Sequence, residues 1–350
     1  MKSSGDRKQK AEGKGKREKI KEKFPGSKIL PSFTSRFLMC SFFLLSSIFY
    51  PLSPIQAARG DKNEILREAD RAYYQGRMDS SISLYEQAVK ENPTDKAAHL
   101  SLGVTYAEKG DLDKAIEALK KALALDPNNS QICVDLSIIY SQKEDYDRAI
   151  SYARKAVKVA PEKGSNYTAL GLAYEGFGEV ETAIKTYKKG IEVDPTNSDL
   201  YLTLGNLYGK QREYNNAIKA YEQAITTDPK NTYAYSNIAY VYQELGKDDK
   251  AIEYLVRATK ANPKDEVIWY DLGSAYLKKT DDTKAIECFE KSFSINPKFY
   301  KACLSLAMVY EKERNLEKAA EFYVKAMSLT NDPRLKEAIM RQITRAGTNE

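Results

Sequence analysis

The residue types that usually perform chemistry are scarce in this chain, and they form no catalytic or metal-binding pattern. His99 is the only histidine among 350 residues, so there is no multi-histidine metal site, and we find no Ser-His-Asp or Cys-His arrangement. Adjacent acidic residues such as Asp248 and Asp249 are typical of turns and helix starts rather than of acid/base pairs. No glycine-rich phosphate loop is present. The sequence therefore predicts a protein that is not an enzyme and that binds no metal or cofactor.

The cysteines lead to the same prediction. Cys133, Cys288 and Cys303 are scattered without the paired spacing of a metal motif, and Cys40 lies in an apolar stretch near the N-terminus. Small buried thiols are the expected state. A disulfide between Cys288 and Cys303 is the alternative in an oxidising compartment.

A register of prolines organises most of the chain and accounts for where these side chains fall. Seven prolines follow one another at intervals of 34 residues: Pro93, Pro127, Pro161, Pro195, Pro229, Pro263 and Pro297. Such self-similarity indicates a stacked-repeat architecture. His99, Cys133 and Cys303 all occupy the fourth position of a unit, where other units carry Tyr or Trp, so a packing role is expected for them.

Residues 62–333 divide into eight units, which are 62–95, 96–129, 130–163, 164–197, 198–231, 232–265, 266–299 and 300–333. Small residues recur at the eighth, twentieth and twenty-seventh positions, and Tyr occupies the eleventh position in seven of the eight units. This spacing predicts two helices per unit, because small residues on facing helices let their backbones approach. Glycines such as Gly110 and Gly178 fall between the two helices, where a left-handed stop is expected. Asp79 and Asp113 are expected to cap the second helices.

The pattern L-G-x-x-Y…A-I…A…P resembles the tetratricopeptide repeat (TPR). The second unit carries it as Leu102, Gly103, Tyr106, Ala115, Ile116, Ala122 and Pro127. The resemblance implies an all-α fold, a right-handed superhelical solenoid of about eight helix-turn-helix units. Residues 334–350 are expected to form a capping helix and tail, because Leu335, Ala338, Ile339 and Ile343 share one side of a helix.

The resemblance also implies an inner groove, lined by the second, fifth, ninth, twelfth and thirteenth positions of the first helices. Here the fifth and ninth positions are largely apolar, and exposed apolar stripes usually mark interaction sites. The candidate groove residues are Leu66, Leu100, Val104, Val134, Ile138, Leu172, Leu202, Tyr240, Tyr270, Leu304 and Met308. The alternative is that some of them pack against the neighbouring unit's first helix. A ladder of asparagines at the sixth position, which similar sugar-transferase arrays carry, is absent except for Asn237.

The basic excess of the chain is confined to its N-terminus. The net charge is +6, but residues 1–36 carry 12 basic and 4 acidic side chains, so the remainder has a net charge of −2. A nucleic-acid interface needs a basic stripe, and no nucleic-acid partner is expected. The polar leader 1–36 is expected to be disordered.

Residues 37–58 form an uncharged segment that begins with 14 mostly apolar residues, Phe37–Tyr50. A basic segment followed by a short apolar run and a small-residue exit predicts a signal peptide, with cleavage near Ala57 or Ala58. The alternatives are a membrane anchor and an apolar helix packed on the first repeat. The signal predicts export to the periplasm or another extracytoplasmic space, in soluble form after cleavage or anchored in the membrane.

Together these features predict a non-catalytic scaffold that binds a peptide or helical segment in its groove, in the assembly of an envelope or membrane complex. One alternative is a self-assembling homo-oligomer, in which the C-terminal helix of one chain docks in the groove of another. A second alternative is a non-catalytic subunit of an enzyme complex.

Overall fold

The computed structural model describes residues 64–347, and every helix or strand assigned in that range is an α-helix. The helices are α1 (Glu64–Tyr74), α2 (Met78–Glu91), α3 (Lys96–Lys109), α4 (Leu112–Leu125), α5 (Ser130–Gln142), α6 (Tyr146–Val159), α7 (Gly164–Phe177), α8 (Val180–Val193), α9 (Ser198–Lys210), α10 (Tyr214–Thr227), α11 (Thr232–Glu244), α12 (Asp248–Ala261), α13 (Glu266–Lys278), α14 (Asp282–Ile295), α15 (Tyr300–Lys312), α16 (Leu316–Leu329) and α17 (Pro333–Gly347). The predicted all-α repeat architecture is therefore confirmed.

Helices α1 to α16 form eight consecutive pairs, each made of an odd-numbered first helix and an even-numbered second helix. Every helix packs most extensively on the other member of its pair, and each second helix also packs on the first helix of the next pair. The leader and the apolar segment 37–58, to which the signal and anchor predictions apply, lie outside the described residues. Between residues 64 and 347, no helix combines the length and apolar character needed to cross a bilayer.

Packing within a pair depends on a small residue at the eighth position facing a large one on the second helix. Gly171 on α7 shows the constraint, because a Cβ atom there would lie 2.2 Å from Cε1 of Tyr187 on α8. Gly205 on α9 faces Tyr221 in the same way, with a hypothetical Cβ at 2.6 Å. Tyr187 and Tyr221 are fully buried. The glycine thus makes room for an aromatic ring that fills the space between the two helices.

The second helices begin differently from the sequence prediction. Asp79 and Asp113, which the sequence assigned as N-caps, lie inside the first turn of α2 and α4. Their carboxylates instead pair with a lysine of the following unit, Lys109 Nζ to Asp79 at 2.6 Å and Lys143 Nζ to Asp113 at 2.6 Å. The N-cap lies two residues earlier, where Asp145, for example, accepts a hydrogen bond from the Arg148 amide. The N-cap prediction for this position was wrong, because the turn between the helices is shorter than the spacing suggested.

The last helix covers the end of the stack. Ile339 of α17 is 1% exposed and belongs to the apolar cluster formed by α15 and α16, with Leu335 and Ile343 packed beside it. The apolar side of this helix is thus occupied within its own chain. An end helix of this kind gives the final unit the neighbour that every internal unit has.

The turn between paired helices needs one residue in the left-handed conformation. The fifteenth position of all eight units has a positive φ, from 57° at Glu144 to 95° at Gly178. Four units place glycine there, whereas the others use Glu144, Arg212, Thr280 and Arg314. Left-handed backbone costs a residue with a Cβ atom about 1–2 kcal/mol, and a β-branched residue such as Thr is among the least suited to it.

We therefore expect Thr280→Gly to raise the free energy of unfolding by about 1 kcal/mol, because the relief of left-handed strain outweighs the flexibility that glycine adds to the unfolded chain. Gly178→Thr is the matched reverse change and should lower the free energy of unfolding by a similar amount, since no atom of the described part of the chain lies within 4 Å of that Cβ position. Urea denaturation measures both. Equal effects of the same sign would contradict the strain argument.

Candidate functional site

The first helices line the inner side of the array. From α3 to α13, each first helix contacts the next first helix along the stack, whereas consecutive second helices approach each other less closely. Hydrogen bonds cross between first helices: Ser236 Oγ on α11 donates to Asp271 Oδ2 on α13 at 2.9 Å, and Asn237 Nδ2 donates to Asn206 Oδ1 on α9 at 2.8 Å. We call the surface shared by these odd-numbered helices the inner face.

The structure separates the predicted groove residues into three groups. Five are buried, namely Leu66, Val104, Val134, Ile138 and Leu202. Five are partly exposed, namely Leu100, Leu172, Tyr240, Tyr270 and Leu304. Met308 alone among them is exposed, at 49%. Buried side chains such as Val104 and Ile138, at 6% and 5% exposed, fit the packing alternative, so the apolar surface open to a partner is narrower than the sequence suggested.

The inner face changes character along the stack. In α3, α5 and α7 its fifth and ninth positions are occupied chiefly by apolar side chains, among them Leu100 and Leu172. In α9, α11 and α13 polar side chains replace many of these apolar ones on the inner face. Asn206 Oδ1 accepts hydrogen bonds from both Asn237 Nδ2 and Tyr221 Oη, the latter at 2.9 Å. No described residue forms a hydrogen bond with Asn206 Nδ2 or with Asn237 Oδ1. One amide donor and one amide acceptor are therefore available to a ligand, on side chains that are half-buried.

Sequence reasoning missed this polar half. In the sequence, Asn237 stands out only as an isolated match to a sixth-position ladder, and a search for apolar stripes leaves out Asn206. The signal was present in the spacing: Asn206 and Asn237 are 31 residues apart, and Ser236 and Asp271 are 35 apart. The first interval is one 34-residue repeat less three residues, about one helical turn, and the second is one repeat plus one residue. Both place polar side chains of adjacent first helices side by side.

Asp135 on α5 is the most perturbed acid of the inner face. Its side chain is 4% exposed, and its Oδ1 accepts a hydrogen bond from Gln131 Nε2 at 3.0 Å. Its Oδ2 has no hydrogen-bond partner among residues 64–347. Burial raises the pKa of this carboxyl to about 7, and the Gln131 hydrogen bond lowers it only in part. A buried carboxylate without a cation is costly, so the charged form of Asp135 destabilises the folded array.

The residues with potential chemistry are packing residues. His99 Nε2 bonds the Pro93 carbonyl at 3.0 Å, and Tyr167 and Trp269 at the same position of other units bond the Pro161 and Pro263 carbonyls. In these three units the fourth-position side chain thus ties the first helix to the proline turn before it, which accounts for the lone histidine.

The cysteines of the described region are buried, unpaired thiols: Cys133, Cys288 and Cys303. The expected buried thiols are therefore present, and the Cys288–Cys303 disulfide is not formed. Burial raises the pKa of Cys288 to about 12, which keeps the thiol protonated and unreactive at neutral pH. Within residues 64–347, no group of acids, cysteines and histidine has the arrangement of a metal site.

These features define an all-helical repeat array with a continuous inner face. Family models of the tetratricopeptide repeat match residues 66–130, 106–173 and 200–332, and a further TPR repeat model matches residues 178–212. The chain belongs to the tetratricopeptide repeat family. A search of curated proteins found no match.

Several solved structures are similar to this chain. Yeast Tom70 is similar over 90% of this chain and 72% of its own, with 16% identity and a TM-score of 0.67. MamA is 32% identical over 47% of this chain and 95% of its own, with a TM-score of 0.39. YrrB, described as a TPR protein with an unusual peptide-binding site, is 23% identical over 54% of this chain and 97% of its own, with a TM-score of 0.41. At these levels the likeness to Tom70 shows the fold alone.

The raised pKa of Asp135 predicts a pH-dependent stability. The folded array holds the proton up to about pH 7, whereas the unfolded carboxyl loses it near its ordinary pKa of about 3.9. The stabilising contribution of the proton is therefore complete below about pH 4 and is lost as the pH rises through 7.

We expect Asp135→Asn to raise the free energy of unfolding by about 1–3 kcal/mol at pH 8, because it removes an uncompensated buried charge. At about pH 4 the variant and the unmodified chain should be nearly equal. Urea denaturation at both pH values measures the difference. Asp199, whose pKa burial also raises, is left unchanged, and a gain at pH 4 as large as at pH 8 would refute the assignment to Asp135.

Proposed function

We propose that this chain is a non-catalytic interaction scaffold that binds a peptide or helical segment of a partner protein along its inner face. The observation that carries the proposal is the division of that face into an apolar half and a polar half, both presented by rigid first helices. Membership of the tetratricopeptide repeat family supports an interaction module in general terms.

The two halves suit different parts of one segment. The partly exposed side chains of Leu100 and Leu172 can cover apolar side chains of a segment laid along α3, α5 and α7. Asn206 and Asn237 offer one N–H and one C=O group, which together match the hydrogen-bonding groups of a peptide unit. Apolar burial supplies affinity, and the amide pair fixes the position of the segment along the array.

A peptide selection tests the proposal. The full chain is used to select from a random peptide library, and dissociation constants of the best peptides are measured. We expect Leu172→Asp and Asn237→Ala each to weaken binding by about tenfold or more, since centrally placed contacts usually cost 1–2 kcal/mol or more when removed.

Val324→Asp is the matched control, because Val324 is an equally apolar side chain, 52% exposed, on the second helix α16. This variant should bind as the unmodified chain does. Circular dichroism verifies that all three variants keep their helicity. Binding that survives both inner-face changes, or that is lost only with Val324→Asp, would show that the peptide does not bind the inner face.

The self-assembly alternative has less support. It requires the apolar side of α17 to be free to enter another chain, but Ile339 is buried against α15 and α16 of its own chain. The amphipathic character of the C-terminal segment is thus explained by packing at the end of the stack. No specific observation favours a subunit of an enzyme complex over the peptide-binding scaffold.

We further propose that the chain is exported and acts in an envelope or membrane complex, either soluble after signal cleavage or anchored by residues 37–58. The support is the basic leader followed by an uncharged apolar segment with a small-residue exit. Nearly balanced charge in the remaining chain is compatible with this site of action.

N-terminal sequencing of the mature chain, recovered from separate envelope and cytoplasmic fractions, measures the outcome. We expect a chain that starts just after Ala57 or Ala58 and is found outside the cytoplasm. An intact chain in the membrane fraction would favour the anchor, and an intact chain in the cytoplasm would exclude export.

A further inference from the structure

Half of the second helices carry a tyrosine at the twenty-fourth position of the unit, namely Tyr85, Tyr187, Tyr221 and Tyr323. Each of these side chains is at most 1% exposed, because its ring lies between the two helices of its pair. The ring fills the space that a small residue at the eighth position leaves, as Gly205 does for Tyr221. A buried hydroxyl needs a hydrogen-bond partner, so the location of that partner shows what the tyrosine does besides packing.

All four hydroxyls donate a hydrogen bond to a polar side chain on the first helix of the same pair. The four pairs are Tyr85 with Asp70, Tyr187 with Glu175, Tyr221 with Asn206 and Tyr323 with Glu311. The acceptor occupies the ninth or the twelfth position of its unit, and both positions belong to the inner face. The buried tyrosines therefore hold polar side chains of the inner face from behind.

Packing alone does not require the hydroxyl group. In the other four units the twenty-fourth residue is Leu119, Ala153, Leu255 or Phe289. Phe289 packs as Tyr221 does: a Cβ atom on Gly273 would lie 2.7 Å from Cε1 of Phe289, and a Cβ atom on Gly205 would lie 2.6 Å from Cε1 of Tyr221. An aromatic ring without a hydroxyl thus fits the same space, so the hydroxyl of Tyr221 has a role of its own.

The amide of Asn206 is held by two donors that reach the same oxygen. Asn206 Oδ1 accepts one hydrogen bond from Tyr221 Oη at 2.9 Å and another from Asn237 Nδ2 at 2.8 Å. A reversed amide would place Asn206 Nδ2 opposite Asn237 Nδ2, with one donor facing another. Asn206 is half-buried, whereas Tyr221 is fully buried. A partner on the inner face can therefore reach the amide but cannot reach the tyrosine.

We propose that Tyr221 is a positioning residue, which fixes the amide of Asn206 so that Nδ2 is presented to a carbonyl oxygen of the partner segment. The inference rests on the proposed function, because it concerns how the inner face selects its segment. An amide that is already held in place loses little freedom when the partner binds. A segment without a carbonyl group at this point leaves the donor unpaired and binds more weakly.

A double-mutant cycle within the protein tests the inference. The probe is the tightest peptide that the full chain selects from a random library. Its dissociation constant is measured with the unmodified chain, with Tyr221→Phe, with Asn206→Ala and with the double variant. Tyr221→Phe removes only the hydroxyl, and Phe289 shows that the remaining ring is accommodated.

We expect Tyr221→Phe to weaken binding by about three- to tenfold, because the Asn206 side chain loses one of its two donors. Asn206→Ala should weaken binding by about tenfold or more. Adding Tyr221→Phe to Asn206→Ala should change the dissociation constant by less than about a factor of two, since the tyrosine acts through the asparagine.

Tyr323→Phe is the matched control. It removes an equally buried hydroxyl that donates to Glu311 at 2.5 Å, on the last pair of the array and away from Asn206. Both Tyr→Phe variants should lower the midpoint of urea denaturation, but only Tyr221→Phe should weaken the peptide. Circular dichroism at the temperature of the binding measurements verifies that every variant is folded.

The outcomes separate this inference from the proposed function. Unchanged binding to Tyr221→Phe or to Asn206→Ala would overturn the positioning role and leave the scaffold proposal intact. The same conclusion follows if Tyr221→Phe weakens binding equally with and without Asn206, or if Tyr323→Phe weakens it as much. A selection that yields no peptide at all would overturn both proposals.

Discussion

The structure depends on one packing constraint with two conditions. The two helices of a unit can bury their large side chains only if small residues let the backbones approach. The unit then needs a neighbour on each side to cover its remaining apolar surface. Gly171 beside Tyr187 shows the first condition, since a Cβ would occupy the space of the ring. The second condition is met by stacking, because each second helix also packs on the next first helix. At the end of the stack α17 takes the place of the missing unit. Repetition is thus a consequence of how little core one helix pair can enclose.

The same constraint creates the functional surface. Stacking brings the first helices side by side, so residues one repeat apart become neighbours although they are far apart in sequence. Asn206 with Asn237 and Ser236 with Asp271 are pairs of this kind. Exposed salt bridges between adjacent units, such as that of Lys109 with Asp79, also help to fix the register of the units. Such exposed pairs contribute little free energy, at most about 1 kcal/mol each. The array is therefore held by apolar packing, and its inner face is free to vary in polarity from unit to unit. Asp135 illustrates this freedom: the stack tolerates its unpaired oxygen because the cost falls on a single position.

Much of the fold could be predicted from the sequence because the 34-residue period is carried by packing residues themselves. Small residues, tyrosines and prolines repeat in register, and the helices follow from them. Details of individual turns were harder to predict from the sequence. Asp79 pairs with Lys109 and is not an N-cap. The prediction was wrong because capping residues and acidic residues of the first turn have similar sequence patterns. The left-handed conformation of Thr280 could not be predicted from its residue type and is imposed by the turn that every unit shares. For the inner face, a search for apolar stripes finds Leu172 but counts buried Val104 with it, and it overlooks Asn206. Whether a side chain of the inner face is exposed depends on how the adjacent unit packs against it. The apolar pattern of a single helix carries no information about that packing.

The most direct test of the account is hydrogen–deuterium exchange of the full chain, free and saturated with a peptide selected from a random library. Backbone amides exchange more slowly where a ligand suppresses local opening. The account predicts that slowing is concentrated in the first helices α3, α5, α7, α9 and α11, with the second helices α6, α8 and α10 much less affected. Slowing confined to the second helices or to α17 would show that the partner binds elsewhere, and it would contradict the central claim that the inner face is the binding surface.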